Sequence, residues 1–291
     1  MSSSDSSVRA VEATRAYERR VDEAADVLRE GATSIPSLGL VLRPGIAVPD
    51  SFSATASWGD ALPQWPGNAE KNVLATGTLA GTSVVLVPDA AALHEGHTPR
   101  EVVFPIRVLA AAGVETLLFA TTAAGVAPEI APGGLVLAAD HINFQGANPL
   151  VGPNVDAWGP RFPDMTHPYA ASLRRSARAV ARREGLRVQE GVYFATMGPD
   201  RGSPAEFRMA RTLGADVLGT DTVQSVIAAR HMDVEVLSVS VVTEGRRPTG
   251  GSANSSSGRG EPLRDAQSRL HVHALLAGIV SSVKSKEKSE E

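Results

Sequence analysis

Residues 100–125 read Arg100-Glu-Val-Val-Phe-Pro-Ile-Arg-Val-Leu-Ala-Ala-Ala-Gly-Val-Glu-Thr-Leu-Leu-Phe-Ala-Thr-Thr-Ala-Ala-Gly125. Arg100–Ala112 has a helical pattern, and Thr116–Ala120 is a short continuous apolar run, as in strands buried on both faces. Thr122-Ala-Ala-Gly125 then reads as a turn of small residues, where backbone can approach a ligand closely. A helix feeding a doubly buried strand is a unit of an α/β fold.

Outward from this stretch the alternation continues, with no internal repeat. Candidate strands are Leu38–Leu42, Ser83–Val87, Gly134–Ala138, Gly191–Met197, Asp216–Gly219 and Val234–Thr243. Candidate helices are Val8–Glu30, Pro168–Glu184, Pro204–Leu213, Val223–His231 and Arg264–Val283. In the first of these Val21, Ala24, Ala25 and Leu28 recur at helical spacing. Together they predict a single α/β domain with a mixed, mostly parallel sheet flanked by helices. Residues 1–7 and 283–291 read as polar or charged disordered tails. Arg246–Pro262 is rich in Gly and Ser and too long for an ordinary connection, so it is either a mobile lid or a disordered insertion.

Composition narrows the function classes. The chain has 291 residues, enough for one large domain, and 43% are hydrophobic. Lys plus Arg is 28 against 32 Asp plus Glu, a net charge of −4, and aromatics are 4%. Neither the charge nor the aromatic content suits a nucleic-acid binder, which needs clustered cations or stacking faces. With no Cys, disulfides, Cys-ligated metals and thiol catalysis are excluded. The most apolar stretch, Ile106–Ala139, is broken by Glu115, Glu129, Pro128 and Pro132, so no membrane span is expected. The amino-terminal segment has no apolar core of a secretory signal, and the reading is a soluble cytoplasmic protein.

The sequence lacks the dinucleotide, P-loop and zincin signatures and the G-x-S-x-G elbow. His94 and His97, and His271 and His273, form close pairs without a third ligand nearby, so no metal is expected, and nothing calls for a cofactor. Asp221 and Glu244 each follow a buried strand. A carboxylate there is well placed for function, while helix capping and loop solvation are the alternatives.

A longer series of segments resembles the trimeric purine nucleoside phosphorylase family, which includes methylthioadenosine phosphorylases. It comprises His94-Glu-Gly-His97, Val102-Val-Phe-Pro-Ile-Arg-Val-Leu109, Thr121-Thr-Ala-Ala-Gly125 and Asp140-His-Ile-Asn143. Asn148-Pro-Leu-Val-Gly-Pro-Asn154, Trp158-Gly-Pro-Arg-Phe-Pro163, Gln189-Glu-Gly-Val-Tyr193, Gly198-Pro199, Gly214-Ala-Asp216 and Ile227-Ala-Ala-Arg-His231 follow in the same order. The similarity spans about Leu38 to Ile279. It implies a twisted sheet with a barrel-like distortion, one phosphorylase-like domain over residues 8–282 with a flexible loop at 246–262, and a homotrimer with sites at subunit interfaces.

Carried over position by position, the resemblance also shows departures. Where the family's phosphate pocket has a Ser in the turn after the first strand, this chain has Pro44, and Asn68 stands at a pocket His. Ala90 and Ala92 replace an Arg and a His, and Asp221 replaces the Ser that closes the pocket. A carboxylate about 4 Å from phosphate costs about 1–4 kcal/mol, depending on the dielectric, so phosphate is not expected as co-substrate. The base-binding Phe-Glu reads Arg201-Gly202, and Glu244 stands where 6-oxopurine enzymes carry Asn. That carboxylate suits a 6-amino purine, accepting from its amine or, when protonated, donating to N7. On the sugar side, His94 replaces a Tyr, His271 matches a His near the 5′ position, and Trp158 matches an aromatic lent by the neighbouring subunit. Ala123, Ala124 and Thr220 line the site by the same resemblance.

The leading reading is a nucleosidase with Asp221 and Glu244 as catalytic residues. A non-catalytic nucleoside-binding or structural subunit, and phosphorolysis through a rebuilt phosphate site, are the alternatives.

Overall fold

The apolar runs become strands because two helical layers cover the sheet from opposite sides. The computed structural model describes residues 3–43, 45–58, 74–88, 90–245 and 266–290. Its elements in chain order are α1 (Ser3–Gly31), β1 (Leu38–Leu42), β2 (Ser53–Trp58), β3 (Leu74–Leu79), β4 (Thr82–Val87), a 3-10 turn (Leu93–Glu95), α2 (Pro99–Ala112) and β5 (Thr116–Gly125). They continue with β6 (Leu135–Phe144), α3 (Ala171–Arg183), β7 (Val188–Thr196), α4 (Pro204–Thr212), β8 (Val217–Gly219), α5 (Val223–His231), β9 (Glu235–Gly245) and α6 (Ala266–Glu290).

The strands lie in the order β2-β3-β4-β1-β5-β8-β7-β6-β9, and β9 also pairs with β5. That extra pairing closes β5, β8, β7, β6 and β9 into a ring, which is the barrel-like distortion, and β1 to β4 extend from it as an open wing. Pairs β1–β4, β1–β5, β5–β9, β6–β7 and β7–β8 are parallel. Pairs β2–β3, β3–β4, β5–β8 and β6–β9 are antiparallel. The architecture is thus the mixed α/β sheet that the sequence predicts.

β5 shows why its sequence is continuously apolar. Leu117 and Phe119 point into the core under α1, α2 and α5, while Leu118 and Ala120 point into the core under α3 and α6. On the first side, α2 is started by Thr98, whose Oγ1 accepts from the Glu101 N–H at 3.3 Å while Glu101 Oε2 accepts from the Thr98 N–H at 2.7 Å.

Several boundaries differ from the sequence-based ones. The small-residue segment at 122–125 is no turn: it continues β5, because Ala124 and Gly125 pair with β8 on one side and with Glu244 and Gly245 of β9 on the other. The antiparallel pair β2–β3 carries no apolar-run signal, since β2 is mostly exposed and the buried β3 mixes Thr and Gly with its apolar residues. Helix α1 begins at Ser3, inside the expected 1–7 tail, and α6 runs to Glu290, through most of the expected 283–291 tail. The 246–262 loop lies outside the described residues. No helix among the described residues is long and apolar enough to cross a membrane.

Candidate functional site

A change of partner along β5 opens the site. One edge of β5 pairs with β9 throughout. The other edge pairs with parallel β1 over Thr116–Ala120, then with antiparallel β8 at Ala124 and Gly125. The neighbours therefore part around Thr121–Ala123, a switch in strand direction of the kind at which α/β sheets bind ligands. The end of β1, the segment after β4 and the β8–α5 turn converge there. The Arg43 N–H donates to Ala120 O at 2.9 Å, and the Ala90 N–H donates to Leu42 O at 3.2 Å.

Arg43 occupies the floor of this junction. It is 1% exposed. Its Nη1 donates to Ala91 O at 2.7 Å and to Ala90 O at 3.2 Å, and its Nη2 donates to Ser225 Oγ at 2.6 Å. Burial lowers its pKa below the usual guanidinium value, and the nearby charges of Asp221, Tyr193 and Glu95 act in the opposite sense. The guanidinium is therefore bonded to the stretch that holds Ala90, next to Ala92, and stands near Asp221.

Asp221 sits on a strained turn. The Val223 N–H donates to Asp221 O at 2.9 Å across Thr222, which has φ 77° and ψ −51°. This is the rare positive-φ γ-turn, a conformation that costs a non-glycine residue energy. The Asp221 N–H donates to Tyr193 Oη at 3.3 Å. Asp221 Oδ1 and Thr222 Oγ1 are buried and have no hydrogen-bond partner among the described residues. Thr220 is buried, and its carbonyl accepts from Gln145 Nε2 at 2.8 Å. Gln224 Nε2 in turn donates to Gln145 Oε1 at 3.0 Å, so two glutamines brace the turn.

Glu244 arrives from β9 by way of a bulge. Ala123 pairs with Val242 and Ala124 with Glu244, which leaves Thr243 as the extra residue and re-aims the strand end. Glu244 Oε2 lies 3.7 Å from Arg201 Nη1, with Glu244 the less exposed of the two. Ala123 and Ala124 are buried on β5 beside it.

The sugar-side candidates are more dispersed. His94 is half-buried on the 3-10 turn, and its Nδ1 is buried without a partner among the described residues. His271 stands on α6, its Nε2 2.6 Å from Gln267 Nε2. Trp158 packs elsewhere in its own chain, edge-on to Tyr17 at 5.8 Å between ring centroids and under the Arg107 guanidinium at 4.8 Å. The structure thus gathers Ala123, Ala124, Thr220, Asp221 and Glu244 around the ends of β5, β8 and β9. It adds Tyr193, Gln145, Gln224 and the Arg201 partner of Glu244, which sequence reasoning did not select. Arg43 and Arg201 carried one signal: each is an Arg at or beside a position where the family pattern is broken. The two glutamines and Tyr193 carried none. No group of three His, Asp or Glu side chains among the described residues is arranged to hold a metal.

Comparison with known proteins agrees with this architecture. Residues 46–276 match the family model described as the phosphorylase superfamily. Purine nucleoside phosphorylase 1 of Geobacillus stearothermophilus is 41% identical over 77% of this chain and 83% of its own length. Bos taurus purine nucleoside phosphorylase is 39% identical over 61% of this chain and 63% of its own. A schistosome purine nucleoside phosphorylase solved with hypoxanthine superposes with a TM-score of 0.82 at 29% identity, covering 90% of this chain and 96% of that one. The same enzyme type solved with guanosine gives 0.82 at 28%. The family-model match over residues 46–276, the 41% identity to a bacterial relative and the superposition on solved structures lead to one conclusion: this chain belongs to the purine nucleoside phosphorylase family.

Proposed function

We propose that this protein cleaves the N-glycosidic bond of a 6-amino purine nucleoside with water, not phosphate, as the nucleophile. The observation that carries this reading is Arg43, whose buried guanidinium is bonded to Ala90 O, Ala91 O and Ser225 Oγ with Asp221 nearby. By resemblance these are the surroundings of the family's phosphate. A protein cation already tied to carbonyls, with a carboxylate beside it, replaces the set of free donors that a phosphate dianion needs.

In this reading Asp221 is the general base. Its unpartnered Oδ1 takes a proton from water, the water oxygen forms a bond to C1′, the C1′–N9 bond breaks with its electrons passing to the purine, and the purine takes up a proton from solvent as Asp221 returns its own. Proton transfer of this kind contributes about 10²–10⁴-fold to rate. Glu244 and Arg201 present an acceptor and a donor side by side, 3.7 Å apart. An adenine-type base matches both, giving its amine proton to Glu244 and receiving at N7 a hydrogen bond from Arg201 that stabilises the departing base. A 6-oxo base would set its carbonyl against the Glu244 carboxylate. His94 and His271 bind the sugar, Thr220, Ala123 and Ala124 line the crevice, and Trp158 serves the site of the neighbouring subunit in a homotrimer.

The test is base release from adenosine, methylthioadenosine, inosine and guanosine, each with and without phosphate. Release without phosphate, strongest for the amino bases and reduced about 10²–10⁴-fold in Asp221→Asn, is expected. Release that requires phosphate sinks the water mechanism. No release, with nucleoside still raising the Tm, points to a binding protein. Light scattering is expected to give three times the 30.3 kDa chain mass.

A further inference from the structure

Away from the crevice, α1, α2 and the segment 149–158 enclose a second cationic feature. Arg20 stands over Phe104 at 5.3 Å, Arg100 over Tyr17 at 5.6 Å and Arg107 over Trp158 at 4.8 Å. Arg100 and Arg107 line a small pocket of about 30 Å³ together with Tyr17, Asn154, Trp158 and His231.

Arg107 is 2% exposed. Its Nη1 donates to Ala228 O at 3.3 Å and to His231 Nδ1 at 2.9 Å. Its Nε is buried without a partner among the described residues. Burial lowers its pKa to about 10. The hydrogen-bond partners of the Arg100 and Arg107 side chains among the described residues are Thr14 Oγ1, Ala228 O and His231 Nδ1, none of them a carboxylate. The nearby acids are engaged otherwise. Asp156 Oδ1 accepts from Asn154 Nδ2 at 2.8 Å, and Glu101 caps α2 through Thr98. His231 adds no counter-charge, since Nδ1 faces Arg107 and Nε2 meets Pro160 O at 3.1 Å. Arg100 Nη2 spends one hydrogen on Thr14 Oγ1 at 2.8 Å.

A guanidinium taken out of water calls for a counter-charge, and the Trp158 face and two acceptors meet only part of that need. We infer that the pocket between Arg100 and Arg107 binds a small monovalent anion, chloride, which joins α1 to α2 and α5. A water needs about 10–15 Å³ on the same scale, so the pocket has room for a monatomic ion. The pocket lies away from the Asp221 and Glu244 strand ends of its own chain, shares Trp158 with the aromatic position proposed to serve a neighbouring subunit, and is read out by stability rather than by base release.

Thermal unfolding in sodium chloride against sodium gluconate at constant ionic strength tests it, since gluconate is too bulky for the pocket. A saturable rise of about 2–4 °C with chloride is expected in the wild type and absent in Arg107→Met. Equal Tm values in the two salts overturn the inference, as does a rise that survives in Arg107→Met. Should that variant not fold, crystals of the wild type grown in sodium bromide decide the matter. An anomalous peak between Arg100 and Arg107 supports the site, and the lack of one there overturns it.

Discussion

Asp221, which stands where the family pattern has a Ser, and the buried Arg43, which precedes Pro44 in the sequence, meet in one corner of the fold. In isolation an Asp where a Ser is expected reads as a barrier to phosphate. The buried Arg43, bonded to Ala90 O, Ala91 O and Ser225 Oγ, supplies the complementary half. The sequence made Asp221 conspicuous because it breaks the family pattern at a strand end. It could not reveal where a flexible Arg side chain would lodge, since that depends on carbonyls 47 and 48 residues away and a hydroxyl 182 residues away. Thr222 belongs to the same corner, with φ 77° and a buried Oγ1 lacking a partner. Thr222→Gly removes strain of about 1–3 kcal/mol and loses about 1 kcal/mol of apolar burial. The net gain of at most about 2 kcal/mol is expected to raise the Tm by no more than about 4 °C in thermal unfolding, accompanied by slower base release because the turn that holds Asp221 loosens.

At the scale of elements, β5 does the most to position the site. Its first half is a buried strand between β9 and β1, and its second half exchanges β1 for β8. The first half was legible, because a run such as Thr116–Ala120 has few structural options. The second half read as a turn, because small residues give no periodic signal. Their smallness instead permits a close approach of chains. A Cβ on Gly125 would lie 2.7 Å from the Ile130 carbonyl oxygen, a backbone atom that cannot rotate away. Gly125→Ala is therefore expected to destabilise by about 1–3 kcal/mol, seen as a Tm lower by about 3–8 °C in calorimetry. The β2–β3 pair gave no apolar run for a different reason: β2 is mostly exposed apart from Trp58, and the buried β3, Leu74-Ala-Thr-Gly-Thr-Leu79, interleaves small and polar residues between its two leucines.

Over the whole molecule, the buried His231 and the half-buried His141 tie stability to pH. Burial lowers the pKa of His141, and burial with the charge of Arg107 lowers that of His231. The folded protein thus holds both neutral at a pH where the unfolded chain, with His near 6.5, already binds protons. Their contribution is fully present above about pH 6.5 and is lost as pH falls below it toward the folded values. The Tm is expected to decline between pH 7.5 and 5.5, with a shallower decline in His231→Gln, whose side-chain carbonyl still accepts from Arg107 without titrating. By itself the amino-acid sequence determined the α/β class, the alternation of elements and the strand ends that carry Asp221 and Glu244. These follow from local periodicity and from burial on two faces, which are properties of neighbours along the chain. Only the tertiary structure decided the closure of β5 to β9 into a ring, the lodging of Arg43 beside Asp221 and the pairing of Arg201 with Glu244. Those depend on side chains and strand edges that meet across long separations, where the energy of one contact rests on every element that brings the partners together.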